Sequence, residues 1–317
     1  MITIPTYADI LAAHERIKPH IVRTPVLSGD AINALTGAEI FFKCESFQRI
    51  GAFKARGATN AVYSLDDATA KRGVVTHSSG NHGAALAWAA KRRGINAVVV
   101  VPESAPRTKI ANIRRAGAEV VFCESTAAAR EAAAAKLVAE RGMEFVHPYD
   151  DNRVIAGQGT AALELLEEVS DLDIVMAPLG GGGLLSGTTL ATKGRDANIR
   201  VIGGEPEGAN DGFRSFQTGV RVAENVPHTI CDGLRTCLSE RTFNIITGNT
   251  DAIVTATEDN VVRAMRLTWE DLKIVIEPSC CPPLAAIMEG KLDVRGKKVG
   301  IILTGGNVDL DKLPWQT

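Results

Sequence analysis

One lysine in this chain sits where its amine could do covalent chemistry. In Ser46-Phe47-Gln48-Arg49-Ile50-Gly51-Ala52-Phe53-Lys54-Ala55-Arg56-Gly57-Ala58, Lys54 has small and apolar neighbours and a glycine three residues away on either side. A lysine held in such a setting gives up its proton and attacks a carbonyl carbon. Alone, a lysine at this kind of position is an ordinary charge near a helix start. Three glycine-bearing turns further along the chain change its weight.

Those turns are Ser78-Ser79-Gly80-Asn81-His82-Gly83, Gly180-Gly181-Gly182-Gly183 with Leu184, and Thr304-Gly305-Gly306-Asn307. Each follows a short β-branched run, and the first two open Ala- or Leu-rich helical stretches. Four glycines between a strand and a helix allow an anion to approach backbone N–H groups at the helix N-terminus. Ser or Asn in the 78–83 turn is also what any helix N-cap uses. His77 and His82 flank it as candidate acid/base groups, with a structural turn role the simpler account of His82. The 180–183 turn has a rival reading: strand, glycine turn, helix and a second strand ending at Glu205 imitate a dinucleotide-binding unit. That reading lacks a clean G-x-G-x-x-G and leaves Lys54, residues 78–83 and residues 304–307 without a task.

The elements that must position these groups alternate regularly. Apolar runs at 73–77, 96–101, 119–123, 173–177, 200–203 and 298–303 are separated by helical stretches, including an Ala-rich helix over 126–141. Such alternation predicts an α/β fold with parallel twisted sheets flanked by helices. Near-continuous apolar strands fit burial on both faces. Ligands in such folds bind beyond the carboxyl ends of strands, where all three turns fall.

Composition narrows the function. The 317 residues are 45% hydrophobic and 23% charged, with a formal net charge of −2. No basic run suggests nucleic acid, and no apolar stretch suggests a membrane span or signal peptide. A cytoplasmic protein is expected. Six scattered cysteines, Cys44, Cys123, Cys231, Cys237, Cys280 and Cys281, lack C-x-x-C spacing and read as reduced thiols without a zinc site.

Taken together, the lysine stretch and the three turns resemble the pyridoxal-phosphate (PLP)-dependent serine/threonine dehydratase and serine racemase family. The resemblance runs from Pro25 to Leu310. It implies a two-domain, fold type II enzyme, like the tryptophan synthase β subunit. Residues 1–65 and 150–317 would form a large PLP-binding domain and residues 70–148 a small one. By resemblance Lys54 carries the cofactor and Phe53 adjoins it. Gly180, Gly181, Gly182, Gly183 and Leu184 hold the PLP phosphate. Asn81 meets the 3′ oxygen, and Thr304 meets the pyridine nitrogen with a hydroxyl where the family often has serine. Ser78, Ser79, Gly80, Asn81 and His82 bind the substrate carboxylate, and Ser79 can also serve as the racemase serine opposite the lysine.

Thr236, in Asp232-Gly233-Leu234-Arg235-Thr236, lies near the substrate side chain. Arg130 aligns with an arginine that reaches a second carboxylate, although on composition alone it is a helix-surface charge. Glu205, the carbonyl of Ala209 and Asp211 match a Mg²⁺ (or other divalent-cation) loop, whose bland alternative is a solvated acidic turn. Glu277-Pro278-Ser279 matches the family; Cys280-Cys281-Pro282-Pro283 departs from it. The expected activity is dehydration and deamination of a β-hydroxy amino acid such as L-serine, L-threonine or 3-hydroxyaspartate, with racemisation as a side activity. Both ends of the chain resemble 3-hydroxyaspartate dehydratases, and phenylserine-type substrates stay open. The resemblance also implies a homodimer and no C-terminal regulatory domain.

Overall fold

Two separate sheets organise the chain. The computed structural model describes residues 2–78, 80–105 and 107–316, apart from the side chains of residues 108, 109 and 127. The strands, in chain order, are β1 (Val26–Leu27), β2 (Glu39–Cys44), β3 (Val74–His77), β4 (Ala97–Pro102), β5 (Glu119–Cys123), β6 (Glu144–Phe145), β7 (Ile174–Pro178), β8 (Arg200–Pro206), β9 (Ala252–Ala256) and β10 (Lys298–Leu303). The larger sheet has the order β1-β2-β10-β7-β8-β9 and the smaller β5-β4-β3-β6. Among the described strands only the β1–β2 pair is antiparallel.

The apolar runs account for this arrangement. β7 is buried along its whole length, and β4 along all but Pro102. A strand covered on both faces has no use for alternating polarity. Helices supply the cover: Asn152–Glu168 packs on Gly183–Arg195, and Lys54–Tyr63 packs on both Asn152–Glu168 and Asn81–Arg93. β8 runs to Pro206, three residues beyond the expected 200–203 span, which carries Glu205 into the sheet.

Lys54 opens the helix Lys54–Tyr63, and a buried ion network fixes that helix. The guanidinium of Arg56 donates to Glu45 (2.7 and 2.8 Å) and to Glu164 (two bonds of 2.8 Å), while Lys43 Nζ lies 2.9 Å from Glu164 and 2.6 Å from the Thr24 carbonyl oxygen. These four side chains are essentially inaccessible to solvent. Bidentate pairing satisfies the guanidinium fork in a medium where an unpaired charge would cost several kcal/mol, roughly.

Candidate active site

The carboxyl ends of β3, β7 and β10 and the start of the Lys54–Tyr63 helix meet around one open cleft of about 2360 Å³. Lys54 lies on its wall. Its Nζ donates to the Pro148 carbonyl oxygen at 2.8 Å and sits 5.0 Å from the centre of the Phe53 ring. Desolvation lowers the amine to about 8, and the opposing pull of Glu277 does not cancel it. An amine so tuned has roughly a tenth of its molecules neutral at pH 7, far more than an ordinary lysine, as a nucleophile or base needs.

The Lys54 loop is tied to the last turn. Phe53 N–H donates to the Thr304 carbonyl oxygen and Gly306 N–H to the Gly51 carbonyl oxygen, each at 2.9 Å. Ile50 takes a left-handed conformation (φ 58°), which is strained for a β-branched residue. Asn307 donates to the Ile50 carbonyl oxygen (2.8 Å) and to Asn81 Oδ1 (3.0 Å), while Asn81 Nδ2 donates to both oxygens of Glu277. Asn307 therefore clasps a residue from beside each sheet.

The 180–183 turn makes an anion cradle. Gly182 has φ +88° and caps the helix Gly183–Arg195, so L side chains are strained there. Gly181 has no room for a Cβ, which would stand 2.5 Å from the Tyr149 ring, and its carbonyl oxygen accepts from the Thr242 hydroxyl at 2.9 Å. Gly180 to Leu184 all line the cleft beside Lys54 and Thr304. A neutral-to-basic amine, a helix N-terminus bared by glycines and a buried hydroxyl together fit a phosphorylated aldehyde with a ring nitrogen.

Of the other expected residues, Phe53, Ser78, Gly80, Asn81, His82, Arg130 and Thr236 line the same cleft. Ser79 lies outside the described residues. His82 is buried, pairs through Nε2 with the Val146 carbonyl oxygen (3.2 Å), and is lowered by desolvation and then by Lys54, so it acts as a neutral anchor. Arg130 is on the first turns of the helix Ala127–Arg141, its Nε donating to the Thr126 carbonyl oxygen, with its charge near His77.

Glu205, Ala209 and Asp211 stand apart from the cleft lining. Glu205 is buried and accepts N–H groups of Gly212 (3.1 Å) and Phe213 (2.6 Å). Desolvation, then the neighbouring Asp211, pushes it well above the carboxylate range, and desolvation also raises Asp211. Asp211 Oδ2 is buried with no hydrogen-bond partner. Two crowded carboxyls with a spare oxygen fit a hard cation, although no group of three or more His, Cys, Asp or Glu suited to a metal occurs among the described residues. This placement also counts against the dinucleotide reading, because Glu205 is taken up by N–H groups at the start of the helix Asp211–Thr218 and does not line the cleft beside the glycine turn.

Sequence reasoning missed His147, Pro148, Tyr149 and Glu277 as site residues. The first three follow β6, which is too short to read as a strand. His147 Nδ1 accepts N–H groups of Tyr149 (3.3 Å) and Asp150 (2.8 Å), which leaves the ring proton on Nε2; desolvation lowers the ring to about 4.

The model of the family "Pyridoxal-phosphate dependent enzyme" matches residues 17–305. The chain belongs to this family. Among its relatives, the beta-hydroxyaspartate dehydratase of Paracoccus denitrificans is 54% identical over 312 residues, covering 98% of this chain and 99% of the relative. The L-threo-3-hydroxyaspartate ammonia-lyase of Saccharomyces cerevisiae is 46% identical, covering 98% and 95%. The crystal structure of serine racemase from Dictyostelium discoideum superposes with a TM-score of 0.93 at 49% identity, covering 96% and 99%. The fold is therefore the type II fold of PLP enzymes, and the cofactor of the family is pyridoxal phosphate.

Proposed function

We propose that this PLP enzyme removes water and then ammonia from a β-hydroxy amino acid, with 3-hydroxyaspartate as the preferred substrate and L-serine and L-threonine as lesser ones. The observation that carries the chemistry is Lys54, an amine lowered to about 8 and facing a glycine cradle across one cleft. The relatives named as hydroxyaspartate dehydratases favour the acidic substrate, and Arg130 on the cleft wall supplies a cation for its second carboxylate.

Bound pyridoxal phosphate supplies an aldehyde for Lys54 and an electron sink for the substrate α carbon. The N–H groups of residues 180–184 and the helix dipole hold the phosphate. Asn81, oriented by Glu277 and Asn307, meets the 3′ oxygen. The Thr304 hydroxyl would meet the ring nitrogen, and a neutral hydroxyl there, in place of a carboxylate, would supply a milder electron sink that suits loss of a β leaving group. The 78–82 turn grips the α-carboxylate. The Lys54 amine would take the α proton of the substrate. The β-hydroxyl would leave as water with the proton that Lys54 has taken, and a second water would hydrolyse the released product to a 2-oxo acid and ammonia. Closure of residues 70–148 over residues 1–65 and 150–317 would exclude water during these steps.

Serine racemase relatives support racemisation as a side activity, with Ser79 as the second base. Glu205, the Ala209 carbonyl and Asp211 hold Mg²⁺ or a similar cation. A homodimer in the cytoplasm completes the reading; six free cysteines suit a reducing compartment, and no described helix is long and apolar enough to cross a membrane.

The test is the absorbance spectrum of purified protein beside Lys54→Ala, with 2-oxo acid measured after adding 3-hydroxyaspartate, L-serine or L-threonine. A Lys54-dependent visible band and fastest turnover of 3-hydroxyaspartate are expected. Turnover retained in Lys54→Ala would overturn the mechanism; faster serine turnover would overturn the substrate order.

A further inference from the structure

We propose that Cys280 is a positioning residue for the cofactor: it fixes the rotor of the Thr304 hydroxyl so that the hydroxyl proton points to the ring nitrogen. This deepens the preceding reading and rests on the seat of that nitrogen at Thr304.

Cys280 is wholly buried and does not line the cleft. Its Sγ lies 3.2 Å from Thr304 Oγ1 and 3.1 Å from the Gly305 carbonyl oxygen, and accepts the Gly305 N–H at 3.4 Å. Both partners belong to the turn that carries the ring-nitrogen contact. The thiol is therefore pinned on three sides, and Thr304, whose hydroxyl faces it, lines the cleft.

The proton count decides the direction. Burial, and secondarily Glu277, pushes the Cys280 thiol up to about 12, so it is a thiol at neutral pH and has one proton to donate. That proton lies between the Gly305 carbonyl oxygen (3.1 Å) and Thr304 Oγ1 (3.2 Å), and the sulfur, which already takes the Gly305 N–H, is a weak acceptor for the Thr304 hydroxyl. Thr304 then has no good acceptor on the protein side at Cys280, and its own proton goes to the stronger base in the cleft. Donation from the thiol also polarises the hydroxyl and strengthens the outward bond. An aliphatic side chain at 280 would free the hydroxyl to rotate toward backbone carbonyls.

The experiment reads the ring nitrogen directly. Apoprotein is loaded with ¹⁵N-labelled pyridoxal phosphate, and the ring ¹⁵N signal and cofactor affinity are compared for wild type, Cys280→Ala, Thr304→Val, the double variant and Cys281→Ala. Cys280→Ala should move the signal toward that of the unbonded base and weaken apoprotein affinity about fivefold, the worth of one ordinary hydrogen bond. Thr304→Val should do the same or more, and the double variant should match Thr304→Val. Cys281→Ala is equally buried, with its Sγ 3.9 Å from the Glu277 carbonyl oxygen, and should leave the signal in place. A signal that moves in Thr304→Val but stays put in Cys280→Ala overturns the role of Cys280. A signal indifferent to both substitutions overturns the Thr304 seat and the inference with it. Equal movement in Cys281→Ala would assign the effect to general loosening and also overturn it.

Discussion

Partial burial lowers the pKa of the Lys54 amine. Desolvation outweighs Glu277, whose charge acts in the opposite sense. Covalent capture of pyridoxal phosphate by the apoprotein should therefore speed up with pH through a midpoint near 8; an ordinary lysine would turn at 10.5. Stopped-flow absorbance at several pH values measures this, and a midpoint near the ordinary value would place the amine in solvent. The carboxyl pair makes a second prediction. Glu205 holds its proton in the fold, so its contribution to stability is lost as pH rises through its elevated pKa. A divalent cation displaces that proton. Mg²⁺ should raise the melting temperature more at pH 8 than at pH 5, with stabilisation of about 2.7 kcal/mol at one hundred times its Kd. Calorimetry showing no Mg²⁺ effect at either pH would remove the site.

At the scale of elements, turns and helix starts are held by contacts that tolerate little change. Gly181→Ala places a methyl 2.5 Å from the Tyr149 ring, so either the ring or the phosphate loop must shift. Overpacking of this kind costs roughly 1–3 kcal/mol, and the substitution should weaken cofactor binding in an apoprotein titration more than it lowers stability. Arg56→Met leaves Glu45 without its cation and Glu164 with Lys43 alone in a dry interior, and should destabilise by about 3–5 kcal/mol in urea unfolding; a loss under 1 kcal/mol, roughly the value of exposed pairs, would mean that water reaches the network. Strand, glycine turn and helix were legible in the sequence, because apolar runs and glycines mark them without help from distant residues. The turn after β6 was not, since two strand residues carry no period, and with it went His147 and Tyr149. The ion network was equally hidden. Lys43, Glu45, Arg56 and Glu164 look like surface charges until the helices Lys54–Tyr63 and Asn152–Glu168 are brought together. The departure at Cys280 was legible as a departure, but its contact with Thr304 needs the fold.

Across the whole molecule, acid should unfold the protein through one buried and two half-buried histidines. His77, His82 and His147 are all lowered from 6.5, chiefly by desolvation, and His147 to about 4. Between those values the unfolded chain binds protons that the fold excludes, so stability is intact above 6.5 and falls as pH falls toward 4. Each such histidine contributes a slope of up to about 1.4 kcal/mol per pH unit. Urea midpoints across this range should drop steadily in wild type and less steeply in His147→Gln. Parallel slopes would show that carboxylates alone govern acid unfolding.

The position of β10 also governs when the molecule can exist at all. This strand is inserted between β2 and β7, and its following turn closes on the Lys54 loop. About 250 residues separate it from β2 in the chain. On a ribosome adding about 5–20 residues per second, that is a wait of roughly 12–50 seconds during which half the large sheet has an open flank. The smaller sheet, complete by residue 145, has no such wait. Cofactor loading must then be an event of the finished polypeptide, and any truncation before residue 298 should yield a chain that binds no pyridoxal phosphate and presents two unpaired strand edges to the quality-control machinery.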